Sequence, residues 1–291
     1  MACLKNMLPL LAALSLAPAV ASAQKYLFVF GDSYSTTGSW IGSDKPSAAN
    51  PIGNPALPGT TTSGGLNWVG QVASRLNDTL IYAYDLAVSG ATTDNDIVAT
   101  YAQYNFDDQV EALWATYLAD APADYAPWTA ETALAAVWIG INDVGEPFWD
   151  GIAAPIDGIM DRYFGLLQEL YDDGMRNFLL LNIPPFDQAP AIVSQDATMV
   201  ASLQADIASY NAALADRLAD FTSANSGVTA QVFDTNPSFD AALGDPTAYG
   251  AADATCVNGD GTSCLWADTY HPGLAIHELL GEALVEAVDF F

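Results

Sequence analysis

From Gln24 onward, short apolar runs alternate with stretches in which apolar positions return at helical spacing. The first run, KYLFVF over Lys25 to Phe30, stops at Gly31-Asp32-Ser33 and reads as a buried strand feeding a turn. Similar runs at Leu80 to Tyr84, Ala133 to Ile139, Asn177 to Leu181 and Thr229 to Phe233 predict further strands. The intervening patterns predict helices over Trp68 to Leu76, Asp108 to Ala119, Ile156 to Asp172 and Asp196 to Thr222. A last one runs from Pro272 to about Phe290, with proline at the first helical position. Strands that alternate with helices need both sheet faces covered. The expected fold is therefore α/β, a three-layer α/β/α sandwich around a five-stranded, mostly parallel sheet. Sites in such a fold gather at the carboxyl ends of the strands.

One stretch resists assignment. Ser43 to Gly65 is rich in Pro, Gly, Ser and Thr and reads as a long surface loop after the first turn, a length that is functional or disordered in most proteins. Its flanking Trp40 and Trp68 either line a substrate cleft or pack beneath the loop as core aromatics.

Composition narrows the class. The chain has 291 residues, 51% of them hydrophobic and 11% aromatic, enough to build a real core despite a formal net charge of -28. With 35 Asp and Glu against 7 Lys and Arg, nucleic acid is excluded as a main partner, since phosphate binding relies on clustered cations. No linker, repeat or low-complexity tract divides residues 24–291, which read as a single domain.

Met1 to Ala23 combines Lys5, an apolar stretch around Leu8 to Val20 broken by Pro9 and Pro18, and the small residues Ala21-Ser22-Ala23. That order reads as a secretory signal peptide cleaved before Gln24, too short and interrupted for a membrane span, so the expected protein is secreted and extracellular. Cleavage removes Lys5 and no acid, leaving 6 cations against 35 acids, a net charge of -29. Such acidity suits solubility outside the cell and disfavours anionic substrates. Cleavage also removes Cys3. Cys256 and Cys264, across a loop containing Asn258-Gly259-Asp260-Gly261, can then pair as a disulfide in an oxidising compartment. Asn77-Asp78-Thr79 is a sequon for N-glycosylation at Asn77.

Candidate chemistry centres on the histidines, of which there are 2. His277 falls inside the last predicted helix and reads as a packing or surface residue; His271, in Asp268-Thr269-Tyr270-His271-Pro272-Gly273, precedes that helix and is the candidate base. A histidine acting on a hydroxyl needs a nucleophile on one side and a carboxylate on the other. Ser33, at the end of the first strand, can be the nucleophile, and Asp268 the carboxylate or merely a helix cap. Acyl transfer also needs donors for a developing oxyanion. Gly90, in AVSGAT, and Asn142, in GIND, stand after two further strands and can supply them, or can be a turn glycine and a capping asparagine. Ser33, Gly90, Asn142 and His271 would then stand at four strand ends. Asp32 and Asp143 are expected to hold turns through backbone hydrogen bonds rather than to move protons.

The ordered set Gly31-Asp32-Ser33-Tyr34, Gly90, Gly140-Ile141-Asn142-Asp143 and Asp268-Thr269-Tyr270-His271 resembles the GDSL, or SGNH, hydrolases. This resemblance implies a flavodoxin-like SGNH fold, with Ser33 as nucleophile, His271 as base and Asp268 as its orienter. It implies an oxyanion hole made by the Ser33 N–H, the Gly90 N–H and the Asn142 side chain. Tyr34 replaces the Leu of the general motif, a departure expected to matter little. The stretches FVFGDSYSTTG, NPALPGTTTSGGLNWVG, AVWIGINDVG, RNFLLLNIPP and DTYHPG are similar to those of fungal secreted acetylesterases of carbohydrate esterase family 16. That narrower resemblance implies hydrolysis of acetyl esters of small plant cell-wall saccharides, notably xylo-oligosaccharides, with no cofactor; the expected protein is a monomer with no metal and no nucleic-acid or membrane partner. Three other readings use the same residues differently. One is a lipase, phospholipase or general short-chain esterase on the same triad, which would want an interfacial apolar helix that the sequence does not offer. The second is a carbohydrate-binding protein without turnover. The third is a metal-dependent hydrolase, for which His271 and His277 lack a partnering cluster.

Overall fold

The computed structural model describes residues 24–120 and 125–291. The expected signal peptide, with Cys3 and Lys5, lies outside the described residues. The chain opens with β1 (Lys25–Gly31), α1 (Trp68–Ser74), β2 (Ile81–Asp85) and α2 (Phe106–Asp108), which passes through a π-helical turn (Gln109–Trp114) into α3 (Ala115–Tyr117). It continues with β3 (Ala133–Trp138), α4 (Ile141–Asp150), α5 (Ile156–Asp172), β4 (Asn177–Leu181), α6 (Pro190–Val193) and α7 (Ala197–Ala224). β5 (Thr229–Phe233), α8 (Asn236–Gly244) and α9 (Leu274–Ala287) complete it.

The strands form one sheet in the order β2-β1-β3-β4-β5, every pair parallel. The chain therefore starts near the middle, winds outward through β2, then returns past β1 to wind the other way. The reversal opens a crevice beyond the carboxyl ends of β1 and β3, the place where open α/β sheets put their sites. Right-handed crossovers of opposite direction place the packed pair α1/α9 on one face and the pair α5/α7 on the other. Central strands read as continuous apolar runs because both faces are covered. Leu27 to Phe30 and Ala133 to Trp138 are buried throughout, each large side chain contributing about 1.5–3 kcal/mol. Edge strand β5 alternates exposed and half-buried positions instead and ends on the buried Phe233.

The predicted strands all form, with ends moved by a residue at most. The helices differ more. The predicted Asp108 to Ala119 helix is split by the π turn, because Gln109 turns its amide into the sheet. The last helix begins at Leu274 rather than Pro272: Gly273 is the N-cap, and its N–H donates to the Leu265 carbonyl at 2.7 Å, holding Pro272 in extended backbone. α4, α6 and α8 were not predicted. In α4 the helical pattern is masked by Gly145 and by Pro147 inside the helix, whose missing N–H makes it read as a breaker.

The Ser43 to Gly65 stretch is an ordered loop folded back on the sheet. Its Ile52 is buried, the Pro51 carbonyl accepts from Ala83 N–H at 2.9 Å, and the Thr60 N–H donates to Thr37 at 2.7 Å. The sulfurs of Cys256 and Cys264 are bonded to each other. The loop they close packs against this stretch so tightly that a Cβ on Gly261 would lie 2.2 Å from the Ser63 carbonyl oxygen.

Candidate active site

The first turn is shaped by its acid. At the end of β1, Gly31 pairs in register with Trp138 of β3, and a Cβ there would lie 2.3 Å from the Trp138 carbonyl oxygen, so only glycine lets the strands approach. The Asp32 carboxylate accepts from Tyr34 N–H at 2.9 Å, and the Asp32 carbonyl accepts from Ser35 and Thr36 N–H at 3.1 and 3.0 Å. This tight turn leaves the Ser33 side chain at its apex, in the crevice.

Ser33 Oγ lies 2.8 Å from His271 Nε2, and His271 Nδ1 lies 2.7 Å from Asp268 Oδ2. The other carboxylate oxygen, Oδ1, accepts from the backbone N–H of Tyr270 and His271 at 2.7 and 2.8 Å. Asp268 thus builds the turn that carries the histidine and orients its ring at once. Burial works against its charge, but the hydrogen bonds from the His271 ring and the Tyr270 N–H win and hold its carboxyl below the ordinary aspartate value. With Nδ1–H donated to the carboxylate, Nε2 is left as an acceptor for the serine proton.

Gly90 follows β2 in a turn at φ +80°, where a side chain would be strained. Thr100 Oγ donates to its carbonyl at 2.8 Å, which fixes the orientation of the turn. Among the described residues, neither the Ser33 nor the Gly90 backbone N–H has an acceptor. Asn142, in the first turn of α4, donates from Nδ2 to the Ala91 carbonyl at 2.8 Å. An amide carries a second N–H, so that bond anchors the group without exhausting it. The positive end of α4 favours negative charge at the same place.

The expected residues do converge, but from three strand ends rather than four: the turns after β1, β2 and β3 supply Ser33, Gly90 and Asn142. His271 and Asp268 come from the loop between α8 and α9, well after β5. A histidine on a loop can be aimed by the carboxylate three residues before it, so it needs no strand end.

Asp32 and Asp143 hold backbone, as expected. Asp143 accepts the Thr93 N–H with both oxygens, at 2.9 and 3.1 Å, and so ties the start of α4 to the segment that follows Gly90. Both acids are fully buried. Burial pushes each carboxyl up to about 7, the Tyr34 and Thr93 hydrogen bonds resist it, and the proximity of Asp143 raises Asp32 further. Asp85 is likewise pushed up to about 7 by burial, while accepting from Thr37 and Ala87.

Three contributors were not recognised in the sequence. Gln109 grips Gly31 with both ends of its amide, accepting its N–H and donating to its carbonyl at 2.8 Å each. Such a bond pair explains the π turn that starts there. Thr62, in the long loop, donates to the Ser33 carbonyl at 2.7 Å. Tyr34 is the third: its hydroxyl donates to the Tyr270 carbonyl at 2.5 Å and its ring lies 5.7 Å from that of His271. The departure from Leu thus adds a contact the expectation did not include, because the phenol bridges the nucleophile turn and the base turn. No periodicity announces such contacts, which join residues far apart in the chain.

The remaining candidates fall as follows. Trp68 is fully buried and its indole N–H donates to Ser35 Oγ at 3.1 Å, so it packs beneath the turn; Trp40 is exposed and leans on Tyr104. His277 is buried, its Nδ1 accepting from the Trp68 N–H at 3.3 Å, and burial depresses its imidazole to about 3. Asn77 is half-buried at the end of α1, with Nδ2 donating to the Val72 carbonyl at 2.6 Å. Among the described residues, no group of three or more His, Cys, Asp and Glu is placed to hold a metal ion, and no helix is long and apolar enough to cross a membrane.

Comparison with known proteins places this geometry. Residues 27–284 match the family described as GDSL-like Lipase/Acylhydrolase. An acetylesterase of Thermothelomyces thermophilus is 49% identical over 267 residues, which span 90% of this chain and 88% of that one. An acetylesterase of Hypocrea jecorina is 31% identical over 183 residues, 58% of this chain and 51% of that one. Among solved structures, an acetylxylan esterase of Geobacillus stearothermophilus shares the fold, with a TM-score of 0.53 at 17% identity over 92% of this chain and 95% of that one.

Proposed function

Because the chain belongs to the GDSL-like lipase/acylhydrolase family, we propose that it is a serine acetylesterase acting on small acetylated saccharides of the plant cell wall, xylo-oligosaccharides among them. The observation that carries this reading is the unbroken chain Asp268 Oδ2, His271, Ser33 Oγ, at 2.7 and 2.8 Å, with the backbone N–H groups of Ser33 and Gly90 lacking an acceptor among the described residues.

In the proposed reaction, Ser33 Oγ passes its proton to His271 Nε2 and attacks the acetyl carbonyl. Asp268 stabilises the imidazolium that forms. The Ser33 N–H, Gly90 N–H and Asn142 amide receive the oxyanion, preorganised so that little reorganisation accompanies the charge. Collapse breaks the ester bond; His271 returns the proton to the sugar oxygen, leaving acetyl on Ser33. Water then gives one proton to His271 and adds to the acetyl carbon; collapse breaks the bond to Ser33 Oγ, which takes that proton back from His271, and the acid leaves and ionises to acetate.

The protein is read as a secreted, single-domain monomer over residues 24–291, with Asn77 in a sequon available for N-glycosylation. The Cys256–Cys264 bond supports an oxidising compartment. A net charge of -29 after leader removal fits neutral sugars better than uronates. Mass spectrometry of the products from a defined acetylated xylo-oligosaccharide tests the reading. Loss of acetyl groups with the backbone intact is expected; rates that instead rise with acyl chain length across esters of one alcohol would overturn it in favour of a lipase.

A further inference from the structure

Trp149 is held as a rigid, half-exposed plate beside the base turn. Its indole N–H donates to the Tyr270 hydroxyl, its ring lies 6.3 Å from Tyr270 at 32°, and Phe148 braces it at 4.8 Å. Tyr270 is the residue next to His271, its ring set edge-on against Phe186 at 4.8 Å. The plate is thus fixed to the turn that carries the catalytic histidine. Yet Trp149 is 43% exposed while its one side-chain polar atom is already satisfied, so part of an apolar ring stands in water. Trp40, exposed to a similar degree, leans on Tyr104 instead.

α4 sets the direction. Asn142, Glu146 and Trp149 stand at i, i+4 and i+7 and therefore share one stripe of the helix. Two turns separate the first from the last, about 10 Å at the helical rise. A substrate whose carbonyl oxygen rests on Asn142 would extend along this stripe past an exposed carboxylate, an acceptor for sugar hydroxyls, to a flat indole. Ring faces of sugars carry C–H groups that settle on such a surface, as apolar lining with sparse polar groups is the usual composition of a ligand site.

We propose that Trp149 is the platform for a neutral sugar ring other than the one that carries the acetyl ester, which makes it a determinant of oligosaccharide over monomeric ester use. This inference rests on the saccharide reading above. The test compares the wild-type protein with Trp149→Ala, Trp149→Leu and Trp149→Phe on a defined acetylated xylotriose and on 4-nitrophenyl acetate, which has no second ring. Trp149→Ala and Trp149→Leu should lose about tenfold more kcat/KM on the xylotriose than on the aryl ester, mainly through KM. Trp149→Phe, which keeps a flat face, should recover most of that difference. Trp149→Leu preserves apolar packing on Phe148 and guards against misfolding of the alanine variant. Equal losses on both substrates would make Trp149 a packing residue and end the proposal. A wild-type protein that hydrolyses the aryl ester but leaves the acetylated xylotriose intact would instead end the saccharide reading, and the platform with it.

Discussion

The Tyr34 hydroxyl donates to the Tyr270 carbonyl oxygen at 2.5 Å, joining the residue after the nucleophile to the residue before the base. Burial pushes the phenol well above its ordinary value, so it remains a donor across the working range. The bond spans two loops that share no strand, and the Ser33 to His271 distance depends on how those loops sit. Tyr34→Phe keeps the ring against Trp138 and deletes the bond alone. It leaves the Tyr270 carbonyl short of a partner and should lower kcat about tenfold with little change in KM, on the scale of a lost buried hydrogen bond. A shifted limb in the pH–rate profile would mark altered setting of His271; unchanged kcat would show that the base turn holds itself.

Ser33→Ala should reduce turnover by several orders of magnitude with the fold intact, and a fluorophosphonate should label the wild-type protein at Ser33 but not the variant. Folded wild-type protein that resists labelling would favour a carbohydrate-binding protein.

Asn142→Ala removes one oxyanion donor and should cost about a hundredfold or more in kcat. It also frees the Ala91 carbonyl, so a fall in melting temperature is expected alongside. Asn142→Asp keeps the side-chain volume, offers no N–H to the oxyanion, and should be as inactive as the alanine variant. Activity in either would remove Asn142 from the site.

Gln109→Leu should destabilise more than any loss of volume explains. It strands the N–H of Gly31 inside the protein, at about 1–3 kcal/mol for a buried group left unpaired, while the Gly31 carbonyl keeps only the Val88 N–H at 3.0 Å. Denaturant unfolding measures the loss, and a parallel loss of kcat is expected because Gly31 sets the start of the Ser33 turn.

Stability should fall as pH rises from acid to neutral. Asp32, Asp85 and Asp143 are each raised to about 7 in the folded protein, against about 3.9 when unfolded. The folded state therefore holds more protons between those values, so the contribution of these groups is complete below about 3.9 and lost as pH passes about 7. His277, depressed to about 3, acts in the opposite sense, its contribution present above about 6.5 and lost as pH falls toward 3, but it is one group against three. Calorimetry from pH 4.5 to 8 should show a declining melting temperature, with a shallower slope in Asp143→Asn. A flat profile in the wild type would mean that these acids titrate normally.

Layer order and strand positions were legible in the sequence because each is a local signal, and Ser33, Gly90, Asn142, Asp268 and His271 stood out as candidates because the ordered motifs around them resemble a known family. A buried strand is a contiguous apolar run, a turn glycine sits at its end, and Asp268 shapes His271 from three residues away. Other features were decided in three dimensions. Gly145 and Pro147 hide α4, which exists because it packs on α7 and carries Asn142. Gln109 meets Gly31 across 78 residues, Tyr34 meets Tyr270 across 236, and Trp149 finds its partner across 121. By itself the sequence determined which groups can do acyl transfer. Only the tertiary structure decided that a buried amide and a bridging phenol hold the turns that carry those groups, and that an indole of α4 is fixed to the base turn, since hydrogen bonds and ring contacts follow distance in space, not spacing along the chain.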